Sequence, residues 1–243
     1  MPIAVFSPLS RDELTHAVND CLGVSSESES PTRLHGPIGK WDVSQVTDMS
    51  NLFYDKDGFN YDISKWDVSR VTDMRGMFFH AHSFEQDLSK WDVSRVTNMA
   101  KMFTHVYFFN QDLSKWDVSR VTDMGSMFSN AYRFNRDVSN WDVSRVTDMS
   151  VMFADAQSFN QDLSKWDVSR VTDTRAMFSD AKSFNQDLSK WDVSRVVNMQ
   201  WMFADTYSFQ QTLCGAAWVN SNASKVEMFA DSPGSISSTV CGE

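Results

Sequence analysis

Seven tryptophans, Trp41, Trp66, Trp91, Trp116, Trp141, Trp166 and Trp191, stand 25 residues apart without an insertion. No other feature limits the chain so tightly. Counting Trp as position 1, the unit reads W-D-V-S-R-V-T-D-M-x-x-M-F-x-x-A-x-x-F-N-Q-D-L-S-K, and seven units fill residues 41–215, 175 of 243. A unit this short cannot bury its own apolar face, so neighbours must stack and share one interior. Positions 6, 9, 12, 13, 16 and 19 (Val71, Met74, Met77, Phe78, Ala81 and Phe84 in the second unit) step by three or four. That spacing predicts a short helical or 3₁₀ segment from about Thr-Asp-Met to Phe. The step of two from Trp to Val predicts a short extended segment through Asp-Leu-Ser-Lys-Trp-Asp-Val. The expected fold class is an α/β repeat solenoid of seven to eight coils with caps. It places a parallel sheet on one side and short helices on the other.

Composition narrows the partners. Hydrophobic residues make up 42% and charged residues 22%, which excludes general disorder. Lys and Arg total 22 against 32 Asp and Glu, a formal charge of −10. Nucleic-acid backbones and anionic membrane surfaces need a basic footprint, so neither is an expected partner. No run of 18 apolar residues is present, so no membrane insertion is expected. The start, Met1-Pro-Ile-Ala-Val-Phe-Ser, lacks the basic and apolar regions of a secretory leader.

An array of stacked units needs covered ends. Ser10-Arg11-Asp12-Glu13 has the form of a capping box, and Leu14, Ala17, Val18, Cys21 and Leu22 follow on one helical face, with Gly23 as a stop. The expected division is a capping helix and polar loop over 1–33, the repeat array over 34–215, and a degenerate unit with a C-terminal cap over 216–243. Residues 24–33 read as a loop. Cys214 and Cys241, with 26 residues between them, are a disulfide candidate, the alternative being free buried thiols. A closed loop of that length stabilises by roughly 3 kcal/mol in the chain-entropy picture and points to an oxidising compartment. Cys21 is left over as a small apolar residue. Asn222-Ala-Ser is an N-glycosylation sequon.

Catalysis needs different groups converging on one place, whereas a near-identical unit offers the same group repeatedly. No nucleophile elbow, Walker A loop or dinucleotide fingerprint is present, so no enzyme and no cofactor are expected. The histidines, His16, His35, His80, His82 and His105, show no metal-ligand spacing and read as scattered surface or loop residues that do not recur in register. No metal site is assigned to them. The Asp rows, such as Asp62, Asp87, Asp112, Asp137, Asp162 and Asp187, bring like charges together. Pairing with the Lys and Arg rows plus backbone N–H donors is the favoured compensation, and Ca²⁺ between coils is the alternative. The Trp row reads as core and not as a sugar-stacking platform, because it alternates with Val in every unit. A Thr row (Thr47, Thr72, Thr97, Thr122, Thr147 and Thr172) lacks the flat Thr-x-Thr array of an ordered-surface binder.

Function is expected where the copies disagree, at positions 10, 11, 14, 15, 17 and 18. The candidate binding residues are Phe79, His82, Tyr107, Phe108, Tyr132, Arg133, Trp201 and Tyr207, with the Tyr107–Arg133 region as the main contact patch. Aromatic rings beside Arg suit a protein interface.

The string F-N-Q-D-L-S-x-W-D-V-S-x-V-T-D-M resembles the 25-residue repeat of BspA-like and mycoplasma-lipoprotein surface proteins, a leucine-rich-repeat relative, over residues 34–215. The resemblance implies a leucine-rich-repeat-like solenoid, a cell-surface or secreted location with an organelle lumen as alternative, and adhesion or protein binding without catalytic residues. Trp, Met and Phe stand where an ordinary leucine-rich repeat has Leu, and no Asn ladder falls in its usual register. A scaffold subunit of a larger assembly is the other function expected.

Overall fold

The computed structural model describes residues 5–22 and 35–242. The expected stop at Gly23 and the loop over 24–33 lie outside the described residues. Helix α1 (Arg11–Leu22) opens the fold. Its start uses the capping box: Ser10 Oγ accepts the Glu13 N–H at 3.2 Å, while the Glu13 carboxylate accepts the Leu9 N–H at 2.7 Å. Leu14, Ala17, Val18 and Cys21 are buried, and Arg11 Nε donates to the Ser50 carbonyl at 3.0 Å, tying the helix to the first unit. A 3₁₀ turn, η1 (Ile38–Lys40), leads into Trp41.

The α/β solenoid with a sheet on one side and helices on the other is not what forms. Among the described residues, the chain from 41 to 211 holds neither an α-helix nor a strand, only turns and single parallel bridges. The remaining regular elements are β1 (Thr212–Leu213), α2 (Ala216–Val219) and β2 (Ser235–Ile236), with β1 and β2 pairing in parallel. The reason lies in backbone sign. Positions 11 and 15 of every unit are left-handed, for example Asn51 (φ 55°) and Asp55 (φ 56°), or Trp201 and Asp205 (both φ 56°). Two left-handed residues four positions apart in each unit prevent a continued i→i−4 ladder. Instead each unit runs through bonds from N–H to the carbonyl three residues back: Val96 to Val93, Met102 to Met99, Thr104 to Lys101, Val106 to Phe103 and Phe109 to Val106. Consecutive three-residue turns repeat the same side at steps of three or four, the same spacing as a helical face.

The other half of the N–H groups reaches between units. Positions 9, 11, 13 and 15 donate to carbonyls at positions 8, 10, 12 and 14 of the next unit, as in Met99 to Asp123, Lys101 to Gly125, Phe103 to Met127 and His105 to Ser129, at 2.8–3.0 Å. One parallel bridge marks each junction, from Asp48–Asp73 to Asn198–Ser224. The last is offset by 26 residues, so the eighth unit carries one extra residue. Thr72, Thr97, Thr122, Thr147 and Thr172 each donate both N–H and hydroxyl to the Thr carbonyl one unit earlier. An Asn row at position 20 does the same work from a side chain: Asn110 Oδ1 accepts the Asn135 N–H, Asn135 Oδ1 the Asn160 N–H, and Asn160 Oδ1 the Asn185 N–H, at 2.9–3.1 Å.

Two phenylalanine columns fill the interior. Position 13 stacks from Phe53 through Phe78, Phe103, Phe128, Phe153 and Phe178 to Phe203 at centroid spacings of 5.4–5.7 Å. Position 19 forms the second column, and the two meet inside each unit, as in Phe103–Phe109 at 4.2 Å. The seven periodic tryptophans are buried, and the rings from Trp66 to Trp191 lie against the position-13 column, as in Phe103–Trp116 at 6.3 Å. Each indole N–H from Trp66 to Trp191 donates 28 residues back, for example Trp116 Nε1 to the Leu88 carbonyl at 3.0 Å. That carbonyl also accepts the Trp91 N–H, so both its lone pairs are used.

Of the compensation expected for the Asp rows, the backbone N–H donors form and the pairing with the Lys and Arg rows does not. Among the described residues the Lys and Arg rows at positions 25 and 5 make no ion pair with them; the Lys or Arg pairs found are Arg11–Asp48 and Lys182–Asp180, near 4 Å. Each carboxylate instead accepts the N–H two residues on, as Asp62 does from Ser64 and Asp87 from Ser89. These bonds hold the carboxyls of Asp62, Asp112 and Asp137 below the usual carboxylate range. Asp123 is the counter-example: burial, and then Asp148 nearby, push its carboxyl up despite the Gly125 N–H.

At the C-terminal end the sulfurs of Cys214 and Cys241 are joined, with Cα atoms 5.1 Å apart, and the Cys241 N–H donates to the Cys214 carbonyl. Cys21 is a buried free thiol.

Two stability predictions rest on this arrangement. Trp116→Phe removes the indole donor and leaves a gap, so urea denaturation should show a loss of about 2–4 kcal/mol. Val151, β-branched at φ 61°, occupies the position that Asn51 fills in the first unit. Val151→Asn should stabilise by about 1 kcal/mol in the same assay, since Asn tolerates the left-handed region and Val does not.

Candidate functional site

Because each unit repeats the same backbone, side chains at one position line up in columns about one ladder spacing apart. Position 17 aligns Asp57, His82, Tyr107 and Tyr132. His82 Nδ1 meets Asp57 Oδ1 at 2.5 Å, the His82 and Tyr107 rings stack at 4.5 Å, and Tyr107 and Tyr132 stack at 4.9 Å with planes 5° apart. Position 15 aligns Asp55, His80 and His105: His80 Nδ1 meets Asp55 Oδ1 at 2.9 Å, and the two imidazoles meet edge to face at 4.5 Å. At position 14 Tyr54 lies flat on Phe79 at 4.8 Å, and Phe79 lies on His80 at 4.2 Å. The columns touch through His80–His82 and His105–Tyr107. A continuous strip of rings therefore crosses the first four units on the turn-built side. Beside it the Arg133 guanidinium sits 4.8 Å over the Phe108 ring, which remains 48% exposed.

Of the eight candidate residues, the structure brings Phe79, His82, Tyr107 and Tyr132 into this strip and sets Phe108 with Arg133 as a pair next to it. Trp201 and Tyr207 belong to the seventh unit and make no ring contact with the strip among the described residues. Trp201 Nε1 donates to Glu227 Oε2 at 2.5 Å, and the Tyr207 hydroxyl donates to Asp205 Oδ1 at 3.1 Å.

The histidines correct the expectation of scatter. His80 and His105 are 25 residues apart, both at position 15, so the backbone repeat places them in contact. That difference of one period was visible in the numbering alone. His105 is half-buried, and its Nδ1 is buried with no hydrogen-bond partner among the described residues. Burial first, and then the neighbouring His80 and His82, hold its pKa below the ordinary value. Asp55 and Asp57 are the nearest carboxylates, already engaged by His80 and His82. Among the described residues no group of three or more His, Cys, Asp or Glu is arranged to hold a metal ion. The strip offers ring edges, one exposed phenyl with a cation above it, and half-buried imidazoles.

The depressed pKa gives a signed pH effect. Between the ordinary histidine value near 6.5 and the lower folded value, the unfolded chain binds a proton at this residue that the folded chain does not. Stability from His105 is therefore lost as pH falls through that window. NMR titration should give His105 a midpoint below that of a histidine in unfolded peptide, and His105→Gln should flatten the fall in melting temperature as pH drops below about 6.5.

A model of the family described as "Mycoplasma protein of unknown function, DUF285" matches residues 24–141 and again residues 131–238. No curated protein and no solved structure matches the chain.

Proposed function

The chain belongs to this DUF285 family, and we propose that it is a non-catalytic protein-binding or adhesion module whose contact surface is the aromatic strip with the Phe108–Arg133 pair. The observation that carries the reading is Phe108, a phenyl ring left 48% exposed under a guanidinium, beside an ordered run of rings. Rigid aromatic rings and Arg are the side chains that dominate interface energetics, and here they lose little freedom on binding because the stack already holds them. The repeat motif's likeness to BspA-like surface proteins supports an extracellular or cell-surface setting, and the joined Cys214 and Cys241 support an oxidising one.

The second reading, a scaffold subunit, draws on another observation. The N–H groups of Glu227, Phe229 and Asp231 occupy positions that donate to a following unit everywhere else, and among the described residues they have no acceptor. Such an edge suits incorporation into a larger assembly.

A photo-crosslinker at Phe108 and the double variant Tyr107→Ala/Arg133→Ala separate the two. For a binding module, the crosslinked partner isolated from the native source loses at least tenfold in affinity for the variant, with the melting temperature little changed. Undiminished affinity would place the contact elsewhere. A partner bound stoichiometrically through the eighth unit would favour the scaffold.

A further inference from the structure

The eighth unit departs from the others next to the Asn222-Ala-Ser sequon. Its register is offset by one residue, Asn198 pairing with Ser224. After α2 the chain turns through Asn220 and Ser221, with the Ser221 N–H on the Trp218 carbonyl and Lys225 Nζ on the Ser221 carbonyl. Asn222 is exposed at this turn, and its side-chain amide makes no hydrogen bond among the described residues. The residue two on, Ser224, returns to the ladder by donating its N–H to the Val197 carbonyl.

A second, independent irregularity faces the same spot. Position 7 is Thr in the first six units and Val197 in the seventh, where the side chain is 67% exposed. Val196, Val197, Ala217 and Ala223 line a hollow of about 310 Å³ together with Ser194, Asn220, Ser221 and Asn222. The polar Thr row thus ends in an exposed valine in the unit whose hollow Asn222 also lines. A pyranose ring has an apolar C–H face suited to such a surface.

We propose that Asn222 is an N-glycosylation site and that the first sugar covers the Val197 hollow. In the transfer, Asn222 Nδ2 bonds to the anomeric carbon of a polyprenyl-pyrophosphate-linked oligosaccharide. The anomeric C–O bond breaks, the polyprenyl pyrophosphate leaves, and the amide proton passes to a base of the transferase. The acceptor sequence and its surface turn meet the requirements of that chemistry, and the site is separate from the aromatic strip.

The test is the full chain expressed behind a secretory leader in a eukaryotic host, with intact mass measured on secreted and retained protein. The expected result is a glycoform that peptide-N-glycosidase reduces to the polypeptide with Asn222 converted to Asp. Asn222→Gln should abolish it, and Ser224→Thr, which keeps the hydroxyl, should preserve it. Wild-type protein of bare polypeptide mass in both fractions overturns the proposal, as does a glycan that persists in Asn222→Gln.

Discussion

Everything in this chain depends on the fit between one 25-residue unit and the next. No unit has an interior of its own; Phe103 is buried because Phe78 and Phe128 lie on its two faces and Phe109 beside it. The indole bond adds direction to that packing. It spans 28 residues, so it ties each Trp to the unit before it and uses the second lone pair of a carbonyl otherwise left half-satisfied in a dry place. Stacked rings supply burial, and the indole and backbone ladders set how far one unit slides on another.

That stacking also decides what happens at the surface. Once units superpose, a side chain at any position sits next to its counterpart one period away. Uniform positions become ladders, as with Thr hydroxyls and Asn amides. Variable positions become mosaics, and between the first and fourth units the mosaic is Tyr54, Phe79, His80, His82, His105, Tyr107 and Tyr132. The same rule places Asp155, Asp180 and Asp205 in one column, where burial and then Asp180 push the Asp155 carboxyl up. The character of this surface is written by differences between copies, on a frame made by their identity.

Much of this was legible in the sequence. The period, the helix α1 with its capping box, the buried Trp row and the Asp turn chemistry follow from spacing and residue type. The sheet and the row of helices did not survive, because an apolar step of three or four is common to helices and to consecutive tight turns. The left-handed backbone is legible at position 15, where Asp, Asn or His stands in all seven units, but not at position 11, where Lys101, Val151 and Trp201 stand beside the better-suited Gly76 and Asn51. His80 and His105 do recur in register, against the expectation, because their numbers differ by one period. Trp201 and Tyr207 share the variable positions and residue types of the strip, but they stand in the seventh unit and so lie apart from it.

The sequence by itself determined the unit length, which rings are interior and which positions are free to vary, because these follow from counting and from the cost of wetting large apolar side chains. Only the tertiary structure decided that the units are built of turns, which carbonyls the indoles find, and that His80 at position 15 meets His82 of the neighbouring column. Those outcomes depend on backbone sign and on bonds between residues a full period apart, where apolar spacing within a unit is silent.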